Sequence, residues 1–526
     1  MKTNIFRYLV LAILIGGCNQ EFDEVIPDRT DLGSGHETFS AGPLDFTTFV
    51  AIGNSLTAGY QAGALFTEGQ SNSLPLILSK QFARVGGGTF NQPTINTVNG
   101  YSGMSGSTVF GRLLLQGSPA RPTPQLSDGN AIPNILVNPS FAYSGNKATL
   151  NNFAVPGIQV GQALIPETGD WNNSGHPAFN PYYARFASAP GTSTILGDAL
   201  ARNPTFFFFW LGNNDILGYA VGGASNEAIF TSEANFRAYY GAALGALTAN
   251  PAVEGIVGNI PNVTSIPFFK LVPWNIIAFD PAIADDVANL ALLQGATPSI
   301  NSAFDGLVQA ALISQAEADS RKITYDYGAN PVLLVDEDLE DLGPKFDILV
   351  NGGFMTAQQR EDIDPYVQSR QANSTDLLPL TAGAVINSLA DPMNPLSKLG
   401  IVIPLADQYV LMKSEQDIIA ARTIAFKDII QSILDGINAG GKRVALFNAY
   451  DMLAGLNTVP TYISNVMVDA TLAPPFGAFS EDGVHPNSRG YALAAYWIIQ
   501  QINQEFGSNV PRPQISEYKG TGLPIN

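Results

Sequence analysis

The sequence predicts an α/β fold built on a parallel sheet. Three observations predict it. Several apolar runs are continuous rather than alternating, as in strands that helices cover on both faces. Helix-like stretches lie between some of those runs. The polar residues able to carry chemistry fall just after the runs, at the carboxyl ends where open α/β sheets bind ligands.

The runs come in a definite order. "FTTFVAIG" (46–53) is the first expected strand and "ATLNNFAV" (148–155) a weaker second. "PTFFFFWLG" (204–212) is the strongest, and its aromatic block reads as core packing. "VEGIVGNI" (253–260) and "KRVALFN" (442–448) complete the set. A helix over 232–250 joins the third run to the fourth, and one over 414–441 precedes the fifth. For the latter, Ser414 and Asp417 suggest a capping box, and Gly440-Gly441 a stop. Strand and helix alternating in this way imply right-handed crossovers. A last helix is expected from Asn487 or Ser488, with Tyr491, Ala494, Ile498 and Ile502 on its inner face.

Two long stretches do not fit that core. Residues 61–147 are rich in Gly, Ser, Thr, Asn and Pro, and 265–413 carry helix-like pieces with an acidic patch, "VDEDLEDLGPKFD". Both are expected to be insertions in one domain spanning 45–510, followed by a tail over 511–526. In the acidic patch Asp336, Asp338 and Glu340 lack the Gly that an EF-hand needs at its sixth position, which is Asp341. A solvated acidic turn is the expectation there. No Cys or His clustering suggests a metal, and no cofactor is expected.

The 526-residue chain is 45% hydrophobic, ample for a large core, and its formal net charge is −19. Such a surface repels phosphate backbones, which argues against nucleic acid as a partner. The first 17 residues have a short basic start (Lys2, Arg7) and the apolar run "YLVLAILIGG". That run is too short for a mature membrane span and reads as a secretory signal. "ILIGGC" resembles a bacterial lipobox, and Cys18 is the one cysteine in the chain. The resemblance implies cleavage before Cys18, lipidation of its thiol and attachment to a membrane. The alternative is a plain signal peptide with an incidental cysteine. Residues 18–44 then form an acidic, turn-rich tether. An outer-membrane location is the expectation. Glu21, Asp23 and Glu24 resemble the surface-export signals of Bacteroidetes lipoproteins, which would add surface exposure; the alternative is a solvated linker.

Four segments after expected strands hold the candidate site. They are "GNSLTAGY" from Gly53, "NFAVPG" ending at Gly157, "GNNDI" with Asn214 and Asp215, and "DGVHPN" with Asp482 and His485. A serine hydroxyl is a weak nucleophile until a base removes its proton, and His485 is the natural base for Ser55. Asp482 can accept from the other ring nitrogen and fix the tautomer. The backbone N–H groups of Ser55 and Gly157 and the Asn214 amide are suitable oxyanion donors. Each residue also has a plainer reading: a turn serine, a cap asparagine, a loop histidine. Asp215 reads as a structural partner, and His176 as a loop residue with a substrate-side role as the alternative. The α/β-hydrolase elbow Gly-x-Ser-x-Gly is excluded, because Thr57 stands two after Ser55.

In family order, these four segments resemble the conserved blocks of the SGNH hydrolases, the GDSL lipase/esterase family. The resemblance covers about 45–60, 148–262 and 425–506. It implies a flavodoxin-like three-layer α/β/α sandwich and ester hydrolysis through a serine acyl-enzyme. Carried over, Ser55 is the nucleophile, His485 the base, Asp482 its orienting acid, and Ser55, Gly157 and Asn214 the oxyanion donors. The family usually has Asp before the serine, whereas this chain has Asn54. Lipid esters and acylated glycans are both substrate classes the resemblance implies, and relatives suggest pairing with a fatty-acid channel of the outer membrane. The competing function is a surface lipoprotein that keeps the fold and delivers an acylated ligand to an outer-membrane partner.

Overall fold

A computed structural model describes residues 38–105, 108–117, 121–126 and 143–523. The chain divides into two compact units, Met1–Ser40 and Ala41–Asn526, and every described helix and strand lies in the second. The expected signal segment, Cys18 and the tether as far as residue 37 lie outside the described residues.

The core sheet has four parallel strands, β1 (Phe49–Gly53), β2 (Phe206–Trp210), β3 (Glu254–Gly258) and β4 (Val444–Phe447), in that spatial order. These match four of the five expected runs, the first trimmed at its start and the other three at both ends. The remaining run, 148–155, differs. Lys147–Thr149 is a short 3₁₀ turn, and residues 151–155 pair irregularly along the outer edge of β1. Ala51 N–H donates to Asn151 O at 2.8 Å, Phe153 N–H to Ala51 O at 2.8 Å and Val155 N–H to Gly53 O at 2.9 Å. With that edge segment included, the spatial order is 2-1-3-4-5 in chain numbering. The chain therefore leaves β1 toward one side and returns to the other at β2. This reversal opens a crevice beyond the carboxyl ends of β1 and β2.

Helices cover both faces of the sheet, and the aromatic block of β2 shows how. Alternate strand residues point to opposite faces. On one face Phe206 meets Phe82 and Phe506, with ring centroids 5.8 and 6.4 Å apart. These come from α1 (Leu74–Phe82) and the C-terminal helix Ser488–Phe506. On the other face Phe209 meets Tyr240 of α2 (Glu233–Leu247) at 5.2 Å. Phe236 of α2 in turn stacks at 3.7 Å on Phe426 of the helix Lys413–Ile437. All four Phe of β2 are fully buried.

The helix ends adjust several expectations. Asn487 caps the last helix by accepting from Gly490 N–H at 3.0 Å, and Tyr491, Ala494, Ile498 and Ile502 are buried as expected. The helix expected from 414 starts at Lys413, and Ser414 with Asp417 do not box it. Glu415 instead accepts from the Met412 N–H at 2.7 Å, while Ser414 Oγ donates to Asp338 at 2.5 Å. That helix ends at Ile437, before the Gly pair, because Asn438 already folds back onto Arg443 and Val444.

The first stretch expected as an insertion is not wholly outside the core. Its residues Leu74, Ile77, Leu78 and Phe82 are buried in the main core through α1. A three-stranded antiparallel sheet, Gly103–Ser105, Thr108–Gln116 and Arg121–Leu126, occupies its middle. The second stretch has a separate hydrophobic core, with Phe304, Leu307, Leu333, Leu334, Phe346 and Leu405 at its centre. Here the expected solvated acidic turn is corrected in part. Asp336 is buried and paired with Arg370, which also forks onto Asp376 at 2.6 and 2.9 Å. Glu337, Asp338 and Glu340 remain exposed. The described part of the tail packs onto the domain: Ile515 is fully buried, and Asn487 Nδ2 donates to Thr521 Oγ1 at 3.2 Å.

Candidate active site

Strand β1 delivers Ser55 through a tight turn. A Cβ at Gly53 would lie 2.2 Å from Thr57 Oγ1, so only glycine lets the chain turn so sharply into the short helix Ser55–Ala58. Asn54 caps that helix, its Oδ1 accepting from Leu56 N–H at 3.0 Å. The Asn54 Nδ2 is buried and has no partner among the described residues. Ser55 is 6% exposed and stands at the start of that helix.

His485 Nε2 lies 2.8 Å from Ser55 Oγ, and His485 Nδ1 lies 2.8 Å from Asp482 Oδ2. The two residues sit in the loop before the last helix, and Asp482 folds that loop onto itself. Its Oδ1 accepts from the backbone N–H groups of Val484 at 2.9 Å and His485 at 2.8 Å. Burial pushes the Asp482 carboxyl up. The imidazole beside it and the hydrogen bonds from His485 and Val484 outweigh burial and hold it below the usual carboxylate range. Asp482 therefore stays anionic and accepts from Nδ1–H, which leaves Nε2 free to accept the serine proton.

Several supporting groups go beyond those expected from the sequence. Gly63 N–H donates to Asp482 Oδ2 at 2.7 Å. Ser480 Oγ donates to Asp482 Oδ1 at 3.2 Å or His485 O at 2.9 Å, and it accepts from Ala62 N–H at 2.8 Å. The Tyr60 ring packs on the His485 ring with centroids 4.8 Å apart. Tyr60 is itself pinned: its hydroxyl donates to Gly63 O and its carbonyl accepts from Tyr491, each at 2.5 Å. A serine in "FSEDGVHPN" and an aromatic in "GNSLTAGY" are the only sequence signals for these roles, and each is common in turns and cores.

The expected oxyanion donors lie at neighbouring strand ends. Gly157 follows the edge segment and adopts φ +83°, a conformation that glycine reaches without strain. Among the described residues, the N–H groups of Ser55 and Gly157 donate to no protein acceptor. Asn214 opens α3 (Asn214–Val221), and its Nδ2 donates to Ile158 O at 2.9 Å. One amide N–H is thus spent on orienting the side chain, and the second is left to donate. Gly157, Asn214 and Val484, the neighbour of His485, line one cleft of about 830 Å³.

Asp215 has the structural role expected of it. It is fully buried, and it accepts from Val160 N–H at 3.0 Å and Thr231 Oγ1 at 2.9 Å, tying the Gly157 segment to α3. Burial pushes its carboxyl up to about 7, against those hydrogen bonds. His176 lies in the wall of the cleft with its Nδ1 accepting from Ala178 N–H at 3.2 Å, outside the Ser55 relay. Away from the cleft, carboxylate oxygens of Glu337, Asp407 and Glu415 lie within 4.8 Å of one another. Burial pushes Glu415 up to about 8 and Asp407 up to about 7, with the neighbouring carboxylates adding to the rise. Protons held among them relieve the like-charge repulsion. No family model matches the chain, and neither the curated proteins nor the solved structures give a match.

Proposed function

We propose that the protein is a serine ester hydrolase of the SGNH type with a flavodoxin-like core. The observation that carries this reading is the unbroken relay from Asp482 through His485 to Ser55, with 2.8 Å at each junction. In the reaction, Ser55 Oγ attacks the ester carbonyl carbon as its proton passes to His485 Nε2. Asp482 stabilises the imidazolium, and the carbonyl oxygen draws on the N–H groups of Ser55 and Gly157 and on the Asn214 amide. The C–O bond to the alcohol breaks, and the alcohol leaves with the proton from Nε2. Water then attacks the acyl-enzyme with the same base, restoring Ser55 and releasing the acid.

The strand order 2-1-3-4-5 supports the family reading, as does the placement of three of the sequence blocks at neighbouring strand ends and of the fourth in the loop before the last helix, against Ser55. Lipid anchoring through Cys18, an outer-membrane location and an outer-membrane transport partner rest on the sequence resemblance alone. The chemistry takes an ester, either a lipid ester or an acylated glycan.

A fluorophosphonate probe tests the proposal, since it phosphonylates an activated serine. Wild-type protein is expected to label at Ser55, as mapped by peptide mass, and Ser55→Ala to lose the label. An unlabelled wild type at pH 8, or full labelling of Ser55→Ala, would refute the assignment.

A further inference from the structure

The cleft beside the relay has walls of a particular chemistry. Leu164, Ile165, Leu217, Val221, Ile229 and Phe268 line it, together with the two expected oxyanion donors, Gly157 and Asn214. Its volume of about 830 Å³ falls in the upper part of the ~300–1,000 Å³ usual for small-molecule sites. An acetyl group would leave most of that space empty. Such a void forfeits contact, whereas an alkyl chain that fills it removes apolar surface from water.

The geometry also says which half of an ester belongs there. The departing alcohol has to lie by His485 Nε2 to take its proton, and neither His485 nor Ser55 forms part of the cleft wall. The acyl carbon stays bonded to the carbonyl whose oxygen sits on Gly157 and Asn214, which do form it. We propose that this cleft is the acyl-chain site, and that the substrates are esters of unbranched fatty acids of medium length. The proposal rests on the hydrolase reading for the direction of the ester, while the cleft itself stands on its own lining.

Gly218 offers a direct handle. It lies one turn after Asn214 on the same face of α3, so its Cβ position is about 5–6 Å from that of the oxyanion donor. It lines the cleft, and an added Cβ would meet nothing closer than Ile229 Cδ1 at 3.5 Å. A Gly218→Phe ring therefore has the cleft to occupy rather than packed protein. Replacing glycine within a helix also favours the helical backbone, so the variant is expected to fold.

The test compares kcat/KM on p-nitrophenyl acetate, butanoate and octanoate for wild type and Gly218→Phe. Each fully buried methylene contributes up to about fourfold, so wild type is expected to prefer octanoate to butanoate by about tenfold or more in this half-open cleft. Gly218→Phe is expected to lower the octanoate-to-acetate ratio by about tenfold or more. A wild-type profile that is flat or falls with chain length, or a ratio that the variant leaves unchanged, overturns the proposal. Octanoate binding to Ser55→Ala by calorimetry gives a readout independent of catalysis. Binding that is lost in the Ser55→Ala, Gly218→Phe double variant upholds the cleft even if no ester is cleaved and Ser55 fails to label. Absence of binding at millimolar octanoate overturns it.

Discussion

At Ser55 three neighbours act on one hydroxyl. Gly53 permits the turn, Asn54 caps the helix that presents the serine, and His485 accepts its hydrogen bond at 2.8 Å. Asn54 replaces the acid usual in the family that the sequence resembles. Its Oδ1 supplies the cap that a carboxylate would, but its Nδ2 is buried without an acceptor among the described residues. Asn54 thus provides the cap of an acidic residue without placing a charge beside Ser55. Asn214 carries a sharper prediction. Its amide is oriented by Ile158 O, so truncation removes a donor already aimed rather than one that must be ordered. Asn214→Ala is expected to lower kcat on a cleaved ester by about 10²–10³, the scale of one oxyanion donor, with little change in KM. Steady-state kinetics check this, and unchanged turnover removes Asn214 from the site.

At the scale of elements, short polar links hold the irregular parts in place where hydrophobic periodicity gives no instruction. The loop carrying Asp482 and His485 has no regular structure, yet Asp482 Oδ1, Ser480 and Gly63 fix it from three sides. Phe268, at the entrance of the second inserted stretch, donates its N–H to Gly483 O at 2.9 Å and braces the same loop. Inside that stretch Arg370 joins the short strand Ser369–Gln371 to Asp336 and Asp376, both almost completely buried. Removing one member of a buried ion network leaves charges without partners. Arg370→Met is therefore expected to destabilise the protein by about 3–5 kcal/mol, measured by denaturant unfolding. If the inserted stretch melts separately from the sheet, the loss appears in one of two transitions rather than in a single midpoint.

For the whole molecule, the acidic group of Glu337, Asp407 and Glu415 links distant parts of the chain. Glu337 and Asp407 come from the inserted stretch, and Glu415 from the first turn of the long helix that packs on α2. Burial, reinforced by like charge, raises Asp407 to about 7 and Glu415 to about 8. A carboxyl whose folded pKa exceeds its unfolded value binds its proton more tightly when folded. Between about pH 4 and 8 the native state then holds more protons than the unfolded chain, and stability falls as pH rises through that window. The contribution is fully present below about pH 4. Wild-type Tm is expected to fall from pH 5 to pH 9, and Glu337→Gln, which removes one of the crowded charges, to fall less. Thermal melts across that range check the slope, and parallel curves for the two proteins would discard the link. The net charge of −19 adds repulsion at high pH, but it acts on both proteins almost equally.

The local parts of this protein are legible in its sequence without any fold. Buried strands such as Phe206–Trp210 can be read because a parallel strand covered on both faces must be continuously apolar. The last helix can be read because a cap and a 3.6-residue stripe are both local patterns. The segment at 150–155 is harder, because its pairing with β1 runs through backbone bonds that Asn151 and Asn152 do not advertise. Long-range packing settles the rest. Ser55 and His485 stand 430 positions apart and meet at 2.8 Å because the fold packs the turn after β1 against the loop before the last helix. The second inserted stretch forms its own core through contacts such as Leu333 with Gly400, which no short-range pattern specifies. The cleft arises the same way, from residues on several loops and α3 that share nothing in sequence. Propensity and periodicity act over a few residues, whereas a relay or a cavity exists only where distant segments are packed against one another.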